Sequence, residues 1–413
     1  MRPRRLVWLL VPFSMVLLRP AAINAEPGDG VDIAGVRLSP TVGASVTYDS
    51  NVDLMDKNAV EDTFLEFDAG LDFVCERDAF SLAGRLIGLS RSYSKSGERS
   101  HDFVNLSERV NLRTGSRDTL SVSVNQGLGE VDDYDQWTYT TAGGVNAENQ
   151  DLALSLDRNE RMRRSVNDLG VTVGRNVTDK IGVDLGYNYD SVQYKDTGLY
   201  NSTEQRGQAE GTVKLTDKTD AIATFQYGVQ QSDAFTHDAH SCVIRGGLKT
   251  QSTDKIGFRG EAGLQDYQRD RNDPSSPKED DRIFNFELAA YWLATDRLSF
   301  QLTGRDDIQP ASVYQDVARE VTLTSLSAVY KLKASIALSL TGSYRTDDYR
   351  FSSTPRGADG DSMDVLKGCL ARVDYTPHAR WLSAYGELSY ETVDSIQRDY
   401  DQLRVGAGLT LRY

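Results

Sequence analysis

Leu403-Arg404-Val405-Gly406-Ala407-Gly408-Leu409-Thr410-Leu411-Arg412-Tyr413 is the last stretch of the sequence, and its pattern decides the fold. Leu403, Val405, Ala407, Leu409, Leu411 and Tyr413 alternate with Arg404, Gly406, Gly408, Thr410 and Arg412. Side chains along a strand point to opposite faces in turn, so extended backbone gives this segment one apolar side and one polar side. A helix would need apolar spacings of three and four, and these are missing.

The same alternation recurs upstream. Val36, Leu38, Pro40, Val42, Ala44, Val46 and Tyr48 oppose Arg37, Ser39, Thr41, Gly43, Ser45, Thr47 and Asp49. Pro40 is awkward inside a strand and marks a bulge or a late start. Leu65/Phe67/Ala69/Leu71/Phe73 oppose Glu66/Asp68/Gly70/Asp72, and Ile181/Val183/Leu185/Tyr187/Tyr189 oppose Gly182/Asp184/Gly186/Asn188/Asp190. Short turns built on Thr178-Asp179-Lys180, Thr216-Asp217-Lys218, Thr253-Asp254-Lys255 and Thr295-Asp296-Arg297 punctuate the runs. In each, the aspartate carboxylate is expected to cap its own turn. The opposite connections are longer and more polar, as at Ser50 to Asp62, Asp270 to Asp281 and Arg350 to Asp361.

Short turns at one end and long loops at the other are the asymmetry of a transmembrane antiparallel up-and-down β-barrel. The expected fold is therefore all-β, with periplasmic turns, outer loops and a barrel over residues 36–413. Both termini on one side require an even strand number. The runs give twenty strands if residues 137–146 and 151–158 form a hairpin, and eighteen if residues 131–165 are one long loop; twenty is favoured. A soluble β-sandwich or solenoid would also alternate, but its edge strands would need proline, lysine or bulges for protection. Tyr48, Tyr187, Tyr189, Tyr344, Tyr390, Trp292, Trp381 and Tyr413 fall near strand ends, where amphipathic rings straddle lipid and headgroup.

Composition agrees with this architecture. The 413 residues include 34 Gly and 20 Tyr but 10 Pro and 3 Cys, and mean hydropathy is −0.47. A barrel strand shows lipid at every second residue only, so a polar average is compatible with membrane insertion. Arg2, Arg4 and Arg5 followed by the apolar stretch Leu6 to Leu18 and by Ile23-Asn24-Ala25 read as a signal peptide over residues 1–25, with residues 26–35 a short linker. The net charge is −15. Residues 1–25 hold four arginines and no acid, which leaves −19 on the remainder and argues against nucleic acid. Cys75, Cys242 and Cys369 are too widely spaced for a metal site or a disulfide framework.

Leu38-Ser39-Pro40-Thr41-Val42-Gly43-Ala44-Ser45-Val46-Thr47-Tyr48-Asp49-Ser50-Asn51-Val52 resembles the first strand of the outer-membrane β-barrel porins associated with exopolysaccharide export. Gly406, Leu409, Leu411 and Tyr413 are similar to the assembly signal of outer-membrane proteins. The resemblance implies a bacterial outer-membrane pore for polar solutes, connected with exopolysaccharide export, that meets outer-membrane lipid, lipopolysaccharide and the assembly machinery. A closed or plugged barrel anchoring a surface polymer is the alternative. A polysaccharide cargo and association of barrels into homo-oligomers are the further partners it admits.

No catalytic chemistry emerges. His237-Asp238-Ala239-His240 has ligand-like spacing, but it falls between strands with no helix to align it, and reads as solvated loop rather than metal site. Ser232 and Asp233 lie near His237, yet no motif sets a nucleophile beside a base. No enzyme activity, metal or cofactor is expected. Acidic groups such as Asp132, Asp133 and Asp135 could bridge lipopolysaccharide through divalent cations, or simply hydrate a loop. The alternation sends Arg37, Glu66, Asp68, Asp72, Arg85, Asp184, Arg305, Arg345, Glu387, Arg404 and Arg412 toward the lumen, where solute selectivity would reside.

Overall fold

The computed structural model describes residues 30–413 except 34, 55–56, 98–99, 132–161, 195–200, 233–237, 270–278, 311–317, 351–362, 378–380 and 396–398. The expected signal peptide and the 137–146 and 151–158 runs lie outside the described residues, as does His237. Among the described residues, β1 (Val31–Ile33), β2 (Val36–Asp49), β3 (Asp62–Arg77), β4 (Phe80–Tyr93), β5 (His101–Arg113) and β6 (Asp118–Val131) form the first third of a sheet. It continues through β7 (Met162–Asn176), β8 (Ile181–Tyr194), β9 (Ser202–Thr216), β10 (Thr219–Ser232), β11 (Ala239–Thr253) and β12 (Ile256–Arg269). The remainder is β13 (Glu279–Leu293), β14 (Leu298–Pro310), β15 (Ala318–Lys333), β16 (Ile336–Arg350), β17 (Met363–Tyr375), β18 (Leu382–Asp394) and β19 (Tyr400–Arg412).

From β2 onward each strand pairs antiparallel with the next, and β19 returns to β2 to close an eighteen-stranded barrel. The number is the lower of the two expected. β6 and β7 are ladder partners from Asp118↔Arg175 to Val131↔Met162, so no further hairpin fits between them. Local alternation marks a segment able to be a strand; whether it joins the wall depends on which strands already hold each other's backbone groups. Eighteen strands at ~4.8 Å spacing and ~40° tilt make a circular barrel roughly 36 Å across, backbone to backbone.

Pro40 needs no bulge. β2 pairs with β3 through Pro40↔Leu71 without a register shift. On its other edge the Pro40 carbonyl accepts the Tyr413 amide at 3.0 Å, where the β19 lane ends. The missing proline N–H falls at the end of the β19–β2 ladder, so at most one terminal bond is forgone. Beyond that point β1 takes over the vacated lane, pairing Val31↔Leu38 and Ile33↔Val36.

The short turns are capped differently from the expectation. The Thr178 hydroxyl accepts the amides of Lys180 (3.2 Å) and Ile181 (3.0 Å), and Thr216, Thr253 and Thr295 do the same for Lys218, Lys255 and Arg297. The aspartates point into solvent and meet cations instead: Asp179 meets Arg117, Asp217 meets Lys214 and Asp296 meets Lys255. A carboxylate is better hydrated than a hydroxyl, so at an exposed turn the threonine takes the backbone amides and the aspartate keeps its water.

The outer surface is apolar. Val42, Leu65, Phe67, Leu185, Phe225, Ile244, Phe284, Leu326, Leu340, Leu403 and Leu409 are exposed, every one on the same face of its strand. Outward aromatics form two levels. Tyr48, Tyr187, Tyr227, Tyr344 and Tyr390 sit toward the long-loop rim, and Trp292, Tyr330, Tyr375, Trp381 and Tyr413 toward the short-turn rim. Tyr375 opposes Ile336 and Tyr344 lies eight residues further along β16, which separates the levels by roughly 20 Å. That height suits a hydrocarbon slab. Cys75, Cys242 and Cys369 are all free.

Candidate pore lining

Directly opposed residues of neighbouring strands point to the same face, so the registers carry one face round the whole ring. Arg404 opposes Asp49, Ser45 opposes Glu66, Gly43 opposes Asp68, Ser39 opposes Asp72, and Asp72 opposes Arg85. Continued round the ring, the registers put Arg37, Asp184, Arg305, Arg345, Glu387 and Arg412 on that same face. It is the concave one. Arg259 of β12 meets Glu210 of β9 at 2.7 Å, and Arg245 of β11 meets Glu287 of β13 at 2.9 Å. Arg412 of β19 lies 3.7 Å from Asp72 of β3. Side chains two or three strands apart meet only across the inside of a curved wall.

Of these residues, Glu66, Asp72, Arg85, Arg345, Glu387, Arg404 and Arg412 enter separate ion pairs rather than one ring. Asp72 receives Arg85 at 3.4 Å as well as Arg412. Glu66 accepts two bonds from Arg91, whose guanidinium also sits 4.2 Å over the Phe64 ring. Arg404 Nε donates to Asp49 at 2.8 Å, and Arg345 forms a buried fork with Asp347. Glu387 accepts from Arg372, which binds Asp374 and stacks on Tyr385. Gly43 makes room for one of these acids: a Cβ there would come 2.0 Å from Asp68 Oδ1.

A second group, absent from the sequence expectation, spans β9 to β13. Glu210, Arg259, Glu261, Arg245 and Glu287 alternate in sign across the inner wall. Thr224 donates to Glu261 at 2.6 Å, and Arg245 to Asn285 at 2.9 Å. Gly247 opposes Glu261, and Gly263 opposes Arg245. At Gly247 a Cβ would fall 2.0 Å from the Gly260 carbonyl, so only glycine allows the approach. Small outward residues hide the group in the sequence: Gly207, Ala209 and Gly211 on β9, Gly246 on β11, and Gly260 and Ala262 on β12. Tyr187, Leu185, Tyr227 and Phe225 of the strands flanking β9 oppose Gly207 and Ala209 and supply the grease.

The lining differs along the axis. Toward the long-loop rim, inner side chains are buried: Asp49, Gln265, Asn285, Asp347, Arg345 and Gln402 are each under a twentieth exposed. Toward the short-turn rim the side chains of Arg412 and Arg85 are 53% and 40% exposed. The interior is thus wide at one end and closed in at the other. His240 faces outward, its Nδ1 3.0 Å from the Tyr227 hydroxyl, and no group of three metal-binding side chains occurs among the described residues. Of the four residues that resemble an assembly signal, Leu409, Leu411 and Tyr413 project outward and Gly406 inward.

A closed antiparallel barrel with an apolar outer band, two aromatic levels and a charged polar interior is a transmembrane β-barrel. No protein-family model matches the chain, and none of the curated proteins compared with it matches. Solved structures similar to it include the outer membrane protein OpdK of Pseudomonas aeruginosa, at 10% identity over 91% of this chain and 99% of that one, TM-score 0.44. OccAB3 of Acinetobacter baumannii matches at 9% identity over 92% and 100%, TM-score 0.46. A loop-deleted OmpT, an outer membrane protein of Vibrio cholerae, matches at 11% over 92% and 99%, TM-score 0.42. These are distant likenesses of shape, and the functional reading rests on the barrel's own two faces.

Proposed function

We propose that the chain is a bacterial outer-membrane pore that passes polar solutes, exported behind a cleaved signal peptide at residues 1–25. The observation that carries this is an inner face that carries charge on nearly every strand, with Ile87, Leu89, Leu323 and Leu366 set among the polar groups, inside a wall of pore-forming width. Water and polar solutes are stabilised on such a surface, while the apolar band holds the barrel in lipid. Its ion pairs neutralise one another locally, which suits hydrogen-bonded solutes better than a single ion sign. The role is passage, not catalysis. A polysaccharide as the solute rests on the resemblance of residues 38–52 alone. Contacts with lipopolysaccharide at the long-loop rim and with the assembly machinery at Gly406, Leu409, Leu411 and Tyr413 belong to the same proposal.

The burial of the outer half favours one rival, a closed barrel that anchors a surface polymer. Liposome swelling separates them. Vesicles carrying the refolded protein should swell in iso-osmotic solutions of small sugars, more slowly as sugar size grows. Swelling no faster than protein-free vesicles, from protein shown to be folded, would leave the anchor.

A further inference from the structure

One seam of the barrel wall is split. β13 pairs with β12 along its whole length, from Arg269↔Glu279 to Ile256↔Trp292, and β14 pairs with β15 from Leu298↔Tyr330 to Pro310↔Ala318. Between β13 and β14 the ladder runs only from Leu293↔Ser299 to Glu287↔Arg305. Among the described residues, no ladder pair joins 282–286 to 306–310, on the long-loop side of this seam. Backbone N–H and C=O groups left without ladder partners at a sheet edge must find other partners.

The edge of β14 is occupied in another way. Asn285 Nδ2 donates to the Asp306 carbonyl, and the Ile308 amide donates to Gln265 Oε1 at 3.1 Å. Asn285 Nδ2 also donates to Gln265 Oε1 at 3.0 Å, joining the two amides into one clamp. Both side chains belong to the inner faces of β13 and β12, so β14 has stepped off the wall and lies over the lumen side of its neighbours. Asn285, Gln265, Asp306 and Ile308 are all buried. Asp307 comes within electrostatic reach of Arg206 on β9. A circular wall would hold those two strands roughly 28 Å apart.

We propose that the outer half of β14, with the end of β15 that it carries, is the gate of the pore, folded inward and latched by Asn285 and Gln265. This rests on the pore reading. Opening returns residues 306–310 to the wall, where the existing register continues as Phe286↔Asp306, Asn285↔Asp307 and Phe284↔Ile308. The move satisfies the open backbone edges. It sets Asp306 on the outer face, in the row of Thr322 and Thr346, one row beyond Tyr344. Because the strands tilt, the aromatic level climbs about one residue per strand and meets β14 at this row, where a carboxylate reaches headgroup water.

The test is a cysteine pair, Phe284→Cys with Ile308→Cys, in a chain whose Cys75, Cys242 and Cys369 are changed to serine. In the open register these two positions are opposed and close enough to bridge. Oxidation should form the bond in the folded barrel, read by mass, and raise unit conductance about twofold or more, reversed by reductant. Asn285→Leu with Gln265→Leu should raise the open fraction without the bond. Failure of the pair to bridge in folded protein would overturn the gate, as would bridging that leaves an already conducting pore unchanged. A barrel that bridges but never conducts would confirm the movement and sink the pore instead.

Discussion

Replacing Arg404 with methionine should weaken the barrel at the seam where it closes. Arg404 Nε lies 2.8 Å from Asp49 Oδ2, directly across the β19–β2 ladder, with side-chain exposures of 9% and 0%. Removing one member of a buried pair costs about 3–5 kcal/mol, because the other charge stays behind. Asp49 is not left bare, however. It keeps Gln402 Nε2 at 3.0 and 2.9 Å and the Asn51 amide at 2.9 Å. With those donors retained, a loss of about 2–3 kcal/mol is expected. The assay is reversible urea unfolding of the barrel in lipid vesicles, run as a cycle with Asp49→Leu and the double variant. The double variant should lose less than the sum of the singles, by about 1.5 kcal/mol or more. Single losses under about 0.5 kcal/mol with no coupling would refute an electrostatic lock on this seam.

Other outcomes follow from the same geometry. A spin label at Leu409 should be relaxed by oxygen dissolved in lipid and one at Thr410 by a water-soluble nickel reagent; the reverse would put the register one residue out. Thr295→Ala should cost about 0.5–1 kcal/mol by freeing the Arg297 and Leu298 amides, while Asp296→Ala should be nearly silent in unfolding experiments. Equal effects would restore the aspartate as the cap. Glu61, beyond the end of β3, accepts the Tyr48 hydroxyl at 2.8 Å and lies 3.4 Å from Lys95, and these hold its carboxyl below the ordinary range. The folded state then binds this proton less readily than the unfolded chain. The contact is complete at neutral pH and is lost as pH falls through the depressed value. Carbon NMR of Glu61 should show the titration move up in Tyr48→Phe; an unchanged titration would mean the hydroxyl is not its cause.

How much of this was legible in the chain varies strand by strand. β2, β3, β8 and β19 carry full apolar stripes, and their inner faces could be read residue by residue. β9 could not be read this way, because its outward glycines and alanine are covered by aromatics from strands β8 and β10. Its inward Arg206 and Glu210 are illegible for that reason, and Gly246, Gly260 and Ala262 break the outward rows beside Arg245, Arg259 and Glu261 in the same way. The Thr-Asp-Lys turns were visible as turns, but which side chain caps them depends on relative hydration that the triplet does not display. The split beside β14 left one faint local mark: Leu298 to Gly304 alternates like its neighbours, Asp306 then breaks the outward row, and the amides of Gln265 and Asn285 that draw the strand inward lie on two other strands.

The central claim, a polar-lined pore through a membrane-spanning barrel, is tested most directly by single-channel recording of the refolded protein in a planar lipid bilayer. The account predicts discrete, ohmic steps with weak ion selectivity, as befits a lining whose charges are paired. Silence across the voltage range, from protein whose heat-shifted gel mobility shows it folded, and silence again from the variant locked by Phe284→Cys and Ile308→Cys, would contradict it.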